Sequence, residues 1–347
     1  MTEEKINYLS ASKIKTLQSC SWLYWCKYHL KLPEEGNDGS SRGTICHLIF
    51  ECLGNPRHKK HYTRILKKKS VWSVPSIKKL IIRHAKKLKI FDKENMDLVN
   101  EMIINGLSYD FFGNADGRAT KSVSEQEFNI EKNDGEKKYN IRGFIDKLFL
   151  YKSRSQAIIR DFKTSKKVFE GKDLTDNLQD LMYSLAVKKL YPEFMQRRSE
   201  FLFLKFSLAK DLLGEEGKGV VKMDSLSNDE LEGFEFFLTE VQSLVDSFDE
   251  ESATSNLAAD QGFPKDGSFS GPLCCGFAKQ PNQLKKDGTK MWHCPHKFSY
   301  YYWVAQDEEG NPKMTFLTEP DSKKIPEGLS LKKSYYKGCP KWNADDF

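Results

Sequence analysis

Asp161-Phe162-Lys163 ends the apolar run Ala157-Ile158-Ile159-Arg160, and Asp146 closes Ile141-Arg142-Gly143-Phe144-Ile145 fifteen residues earlier. Both runs predict strands. Side chains alternate between the faces of a strand, so Asp161 and Lys163 share one face. Two carboxylates and a lysine at adjacent strand ends suit a hard divalent cation, Mg²⁺ or Mn²⁺, with phosphate oxygens and waters completing its shell. Such a cation acidifies bound water and neutralises charge on a scissile phosphate. The lysine would orient the attacking water and stabilise the transition state. The same three residues also fit an ordinary salt bridge at a strand end, so the elements around them must decide.

Those elements are legible in outline. Residues 10 to 30 predict an amphipathic helix capped by Ser10 or Ser12. A second helix starts near Ser41, carries His47, Phe50 and Glu51, and stops at Asn55-Pro56. A basic segment predicts helix interrupted by Val74-Pro75, and residues 95 to 112 predict another helix. Strands are expected at 123–130 and 139–151, around the hairpin signal Asn133-Asp134-Gly135, then at 156–162, 201–206 and 220–223. A helix over 174–191 places Gln179 and Tyr183 four apart on one side. Ser227-x-x-Glu230 is a capping box for a helix through Phe248. The expected architecture is α/β, with a central mixed sheet flanked by helices. We expect an N-terminal helical region over 1–118, a core over 119–252 and an irregular Cys-containing region over 253–347.

Composition narrows the partners. Thirteen of the 55 Lys and Arg residues, and none of the 49 Asp and Glu residues, lie between Arg57 and Lys89, so the rest of the chain is net acidic. A block like this, including Lys67, Lys68, Lys69, Lys86 and Lys87, is the electrostatic footprint of a nucleic-acid surface. Its alternative is the solvated face of a helix. The polar start Met1-Thr2-Glu3-Glu4-Lys5 does not suggest a signal peptide, and no run suggests a membrane span. A soluble, intracellular protein is expected, whose eight cysteines are free thiols or metal ligands rather than disulfides. Cys26, Cys46 and Cys52 fall within predicted helices as core residues. The aromatic run Phe298, Tyr300, Tyr301, Tyr302 and Trp303 suits core packing, with base stacking as its alternative.

Six motifs occur in one order. Leu9-Ser10-Ala11-Ser12 leads into Cys20-Ser21-Trp22-Leu23-Tyr24-Trp25, and Arg42-Gly43-Thr44-Ile45-Cys46-His47 follows. Then come Glu125-Gln126-Glu127-Phe128, Gly143-Phe144-Ile145-Asp146, Asp161-Phe162-Lys163-Thr164, and Gln179 with Tyr183. Together they resemble the PD-(D/E)XK nuclease superfamily, in its RecB/AddB-like exonuclease branch, across roughly residues 8 to 206.

That resemblance implies a restriction-endonuclease-like core. It implies metal binding by His47, Asp146, Asp161 and the Phe162 carbonyl, with Lys163 positioning water. Gln179 and Tyr183 would support the lysine and hold the DNA, and Glu125 rather than Glu127 fits the spacing of the strand motif. Relatives hold a [4Fe–4S] cluster on one N-terminal and three C-terminal cysteines. Here the candidates are Cys20, Cys275, Cys294 and Cys339, with Cys274 beside them, although the gaps of 18 and 44 residues after Cys275 are longer than the relatives use. A structural zinc is the alternative, to which His293 and His296 add nitrogen donors, and metal-free buried thiols are a third reading. The implied activity is Mg²⁺- or Mn²⁺-dependent DNA exonuclease action in recombination, repair or end processing, in the cytoplasm of a bacterium or phage-infected host. No Gly-x-x-x-x-Gly-Lys-Ser/Thr loop occurs, so unwinding would fall to a helicase or recombination partner. The rival readings are a non-catalytic DNA-binding scaffold, an RNA-processing nuclease and a structure-specific endonuclease.

Overall fold

The computed structural model describes residues 6–115, 117–210, 214–260 and 275–343. In chain order the helices are α1 (Ala11–Ser19), α2 (Ser21–Tyr24), α3 (Asp38–Gly54), α4 (Lys59–Lys68), α5 (Pro75–Lys87), α6 (Lys93–Ser108), α7 (Leu178–Leu190) and α8 (Asn228–Asp246). The strands are β1 (Lys121–Asn133), β2 (Lys138–Tyr151), β3 (Gln156–Lys163), β4 (Gln196–Phe203), β5 (Val220–Lys222), β6 (Tyr300–Gln306), β7 (Pro312–Phe316) and β8 (Ser330–Tyr336). Two compact units emerge, one of Met1–Ala11 with Gly36–Ser243 and one of Ser12–Glu35 with Leu244–Phe347. This division cuts across the three sequence stretches: most of 1–118 and 119–252 shares one unit, while residues 12–35 join the C-terminal part.

The first unit is built on a five-stranded mixed sheet in the order β1-β2-β3-β4-β5. β1, β2 and β3 run antiparallel in succession, β3 and β4 are parallel, and β5 is antiparallel to β4. The β1–β2 turn forms where Asn133-Asp134-Gly135 predicts it. Gly135 takes φ +93°, and Asp134 Oδ1 accepts the Lys137 N–H at 2.9 Å. The parallel pair needs a crossover, which α7 supplies. Leu9, fully buried, bridges to Ile141: its N–H donates to Asn140 O at 2.7 Å, and its O accepts the Arg142 N–H at 2.9 Å. The Leu-Ser motif is therefore partly a strand contact on β2.

α3, α4, α5 and α6 pack around one apolar cluster. It includes Ile49, Phe50, Ile65, Ile81, Val99 and Ile103, and it takes in Phe162 and Leu202 from the sheet. Glycine explains the close approach of α3: a Cβ at Gly43 would stand 3.1 Å from Thr164 Oγ1. Arg42 donates to Asn95, whose amide reaches Asp38 Oδ2 at 3.0 Å and Asp92 Oδ2 at 2.6 Å, tying α3 to the start of α6. α4 and α5 bury Ile65, Ile77, Ile81 and Ala85 and leave Lys67, Lys68, Lys69, Lys86 and Lys87 exposed.

Two boundaries differ from expectation for physical reasons. β4 begins at Gln196 rather than 201, because charged residues lie inside the sheet. Glu200 stands opposite Arg160 and accepts its Nε and Nη2 at 3.1 and 2.8 Å, both residues being buried. α7 begins at Leu178 rather than 174, because the Asn177 side chain caps it, accepting the N–H groups of Gln179 and Asp180 at 3.0 and 3.2 Å. The capping box of α8 forms as expected, with Ser227 and Glu230 bonded reciprocally at 2.7 and 3.1 Å.

In the second unit the expected single helix over 10–30 breaks at Cys20. That residue is extended (φ −166°, ψ 111°), and its sulfur caps α2 by accepting the Leu23 N–H at 3.5 Å. Trp25–His29 then forms a π-helical turn. The Ser21 hydroxyl donates to Ala253 O at 2.8 Å. The Tyr336 hydroxyl accepts Trp22 Nε1–H at 2.7 Å and donates to His296 O at 2.9 Å. The stretch after 252, expected to be irregular, contains a three-stranded antiparallel sheet in the order β7-β6-β8. Its aromatic run does not form core as expected: Phe298, Tyr300, Tyr302 and Trp303 are half-buried and Tyr301 is 62% exposed, while the buried residues of β6 are Val304 and Ala305. Among the described residues no helix is long and apolar enough to cross a membrane.

Candidate active site

β3 delivers Asp161 and Lys163 to one face near its C-terminal end. Asp161 is 4% exposed, and its Oδ2 lies 2.7 Å from Lys163 Nζ. α7, entering over that strand end, adds Gln179 and Tyr183. Gln179 Nε2 donates to Asp161 Oδ1 at 2.7 Å and to the Tyr183 oxygen at 2.6 Å, while Gln179 Oε1 accepts Lys163 Nζ at 2.5 Å. The Tyr183 hydroxyl donates to Asp161 Oδ1 at 3.3 Å. One amide therefore bridges the carboxylate, the ammonium and the phenol.

A second group adjoins this network. β2 carries Asp146, whose Oδ2 accepts the Phe162 N–H at 2.8 Å and whose Oδ1 lies 3.2 Å from His47 Nδ1 on α3. Glu125 on β1 completes the group, and donor atoms of His47, Glu125 and Asp146 all lie within 4.8 Å of one another. The β1–β2 ladder keeps one register on both sides of Glu125, yet Glu125 itself has φ +51°. Left-handed backbone at a bulky, non-glycine residue is strained. Here the strained residue presents its carboxylate beside Asp146.

Electrostatics match the crowding. Burial first, then the Asp146 carboxylate, push Glu125 up to about 7. Burial also pushes Asp161 up, with Lys163 opposing and Asp146 adding to the rise. For His47, burial disfavours the charged ring, but the hydrogen bond and charge of Asp146 outweigh it and raise it to about 9. An imidazole nitrogen and two carboxylates are donors that a hard divalent cation accepts, so the chemistry of this set fits Mg²⁺ or Mn²⁺. A bound dication would favour the carboxylate forms and the neutral ring.

Of the residues expected from the sequence, the structure gathers His47, Glu125, Asp146, Asp161, Lys163, Gln179 and Tyr183. Both Asp161 oxygens face Lys163, Gln179 and Tyr183, so Asp161 lies beside the three-donor group rather than in it. The Phe162 ring packs on Phe50 at 4.3 Å between centroids. Glu127 pairs instead with Arg142 at 3.4 Å, both exposed. Glu51, one turn beyond His47, acts electrostatically on Glu125. The sequence signal for it is only the i, i+4 spacing from His47.

In the second unit, Cys294 and Cys339 each act electrostatically with Cys20 and Cys275, and burial pushes them up to about 12 and about 11. Backbone bonding brings Cys294 to Cys275, N–H to O at 3.1 Å. These four sulfurs and that of Cys26 neighbour one another, but among the described residues no three of them lie within 4.8 Å of one another, a spacing wider than that of the thiolates in a zinc site. Cys26 is committed elsewhere, donating to the Tyr336 oxygen at 3.5 Å. His296 is buried between Glu34, 3.1 Å from Nε2, and the Tyr300 hydroxyl, 2.9 Å from Nδ1. Cys274 lies outside the described residues.

A family model of the PD-(D/E)XK nuclease superfamily matches residues 8–265. No curated protein matches the chain. Among solved structures, a nominal exonuclease from Eubacterium rectale is similar at 12% identity with a TM-score of 0.41, over 69% of this chain and 81% of that one. The protein VC1899 from Vibrio cholerae is similar at 13% identity with a TM-score of 0.23, over 72% of this chain and 59% of that one.

The raised Glu125 and His47 would make metal binding at this group proton-linked. Both must lose protons to act as ligands, so Mn²⁺ affinity is expected to rise with pH through 7. Calorimetry in buffers of different ionisation enthalpy should record proton release, and Glu125→Gln should reduce it. Affinity independent of pH would contradict the His47–Glu125–Asp146 site.

Proposed function

Because the chain belongs to the PD-(D/E)XK nuclease superfamily, whose restriction-endonuclease-like α/β core its mixed sheet matches, we propose that it is a divalent-metal-dependent DNA exonuclease acting in recombination, repair or end processing. The observation that carries this reading is the three-donor group His47, Glu125 and Asp146 adjoining the Asp161–Lys163–Gln179–Tyr183 network. A Mg²⁺ or Mn²⁺ ion held there would supply Lewis acidity towards the phosphate and a more acidic water. Lys163 would hold the attacking water and balance charge building on the phosphoryl oxygens. Gln179 fixes the ammonium in place, and Tyr183 helps hold the Asp161 carboxylate. Water adds to phosphorus, the bond to the leaving sugar oxygen breaks, and that oxygen takes up a proton. Asp161, beside the His47–Glu125–Asp146 group, would add a further carboxylate to hold the ion.

Two further assignments belong to the same reading. The exposed basic faces of α4 and α5 would hold phosphates through Lys67, Lys68, Lys69, Lys86 and Lys87. Cys20, Cys275, Cys294 and Cys339 would hold a [4Fe–4S] cluster, with zinc as the alternative occupant. Their convergence within one unit supports this assignment. The cluster would tie the N-terminal helices to the C-terminal part of that unit.

Cleavage tests the reading. Lys163→Ala should lower the rate of metal-dependent hydrolysis of linear DNA by at least about a hundredfold, the scale of a lost electrostatic stabiliser, in a chain whose circular dichroism shows that it remains folded. Wild-type turnover in that variant would exclude the site. Covalently closed single-stranded circles should survive while the matching linear strand is digested; equal rates would favour an endonuclease. Replacing the five named lysines with Gln should weaken DNA binding and flatten its dependence on salt, because fewer counterions are released. An unchanged slope would reduce those lysines to a solvated surface. Protein purified without oxygen should be brown and carry about four irons per chain. Stoichiometric zinc in colourless protein would select the alternative.

A further inference from the structure

The exposed face of the β7-β6-β8 sheet has the makings of a second nucleic-acid surface. Alternation puts Tyr301 and Trp303 of β6 on one face, and register places Tyr335 and Lys333 of β8 directly across from them. Tyr301 and Tyr335 are 62% and 48% exposed. Their ring centroids lie 4.8 Å apart, tilted by 49°. Phe316 of β7 stands opposite Trp303 on the other side. Lys333 Nζ lies 4.7 Å from the Tyr301 ring centroid. The three strands together contain three lysines and no acidic residue.

Burial does not account for the Tyr301–Tyr335 pair: this face is covered only towards Ala305, whereas Val304 and Tyr336 are buried on the opposite face, and Tyr301 and Tyr335 stand in water. A cross-strand aromatic pair stabilises a hairpin modestly. Paired rings that remain this exposed, beside an ammonium and on strands free of carboxylates, combine the two elements that hold a single strand: π faces for bases and positive charge for phosphates. Duplex DNA keeps its bases stacked on one another and offers these rings nothing to stack on. We propose that this sheet face binds single-stranded DNA by stacking bases on Tyr301 and Tyr335, with Lys333 pairing the adjacent phosphate. The proposal rests on the DNA-processing reading for its ligand but not on the catalytic cluster. The strand held here would be substrate or product waiting outside the reaction, so the face would add affinity and retention rather than chemistry.

The experiment uses the full chain carrying Lys163→Ala, in metal-free buffer, with a labelled oligothymidylate followed by anisotropy. Adding Tyr301→Ala with Tyr335→Ala should weaken binding by at least about tenfold, the scale of one to two lost stacking contacts. Tyr301→Phe with Tyr335→Phe should keep the affinity within about twofold, since stacking needs the ring and not the hydroxyl. Affinity for a blunt duplex should not change. Unchanged oligothymidylate affinity in the alanine pair, or equal loss in the phenylalanine pair, would overturn the proposal. Photocrosslinking of an iodouracil-substituted strand to the Lys163→Ala chain with both tyrosines intact gives a test independent of how the alanine variants fold. Crosslinks at Tyr301 or Tyr335 are expected, and crosslinks confined to other residues would overturn it. Cleavage by the chain with Lys163 intact reports separately on the nuclease reading, so failure of either idea is recognised on its own.

Discussion

The site depends on keeping several carboxylates close together and away from water. Asp161 is buried, Asp146 and Glu125 are half-buried, and the Asp146 charge disfavours ionisation of both Asp161 and Glu125. An arrangement of this kind costs free energy unless positive charge and hydrogen bonds compensate. Within the chain the compensation is local. Lys163 and the Gln179–Tyr183 pair serve Asp161, while His47 and the Phe162 N–H serve Asp146. Glu125 is the least compensated of the three, and its carboxyl is the one raised to about 7. A cation entering beside it would relieve the repulsion that the protein alone leaves standing.

Much of the surrounding framework can be understood as support for that geometry. The parallel β3–β4 pair requires a crossover, and the crossover helix is the one that brings Gln179 and Tyr183 over the end of β3. Asn177 sets where α7 begins and so fixes the phase at which those side chains point. α3 reaches the same strand end because Gly43 has no side chain to hold it off Thr164. The contact of Phe50 with Phe162 then anchors the helix that carries His47. The strain at Glu125 is local and is sustained by regular pairing on either side.

The second unit is organised by different means. A hydrogen-bonded chain runs from Trp22 through Tyr336 to His296, and from His296 to Glu34 and Tyr300. These residues come from both ends of the sequence, as do the four converging cysteines. Polar networks of this type are costly when incomplete, which favours a single arrangement of the segments that make them. The three-stranded sheet supplies Tyr300 and Tyr336 from its inward face and turns Tyr301 and Tyr335 outward.

The local part of this protein was legible in its sequence. Periodicity and turn chemistry predicted the β1–β2 hairpin, the third strand, the α8 capping box and the break at Asn55-Pro56, because each depends on neighbours a few residues away. Alternation alone placed Asp161 and Lys163 on one face. Tertiary structure decided the rest. Glu125 and Glu127 alternate onto the same strand face; motif spacing favours Glu125, but it is the approach of Asp146 and His47 that gives Glu125 its partners while Glu127 pairs with Arg142. Charged Glu200 hid the start of β4, because its partner Arg160 lies on a neighbouring strand. The capping sulfur of Cys20 broke a helix whose apolar pattern ran on. Nor could the sequence say which aromatics of β6 would meet a core, since alternation defines two faces but not which one another element covers. In each case the deciding interaction joins residues far apart in sequence, whose proximity exists only once the chain has folded.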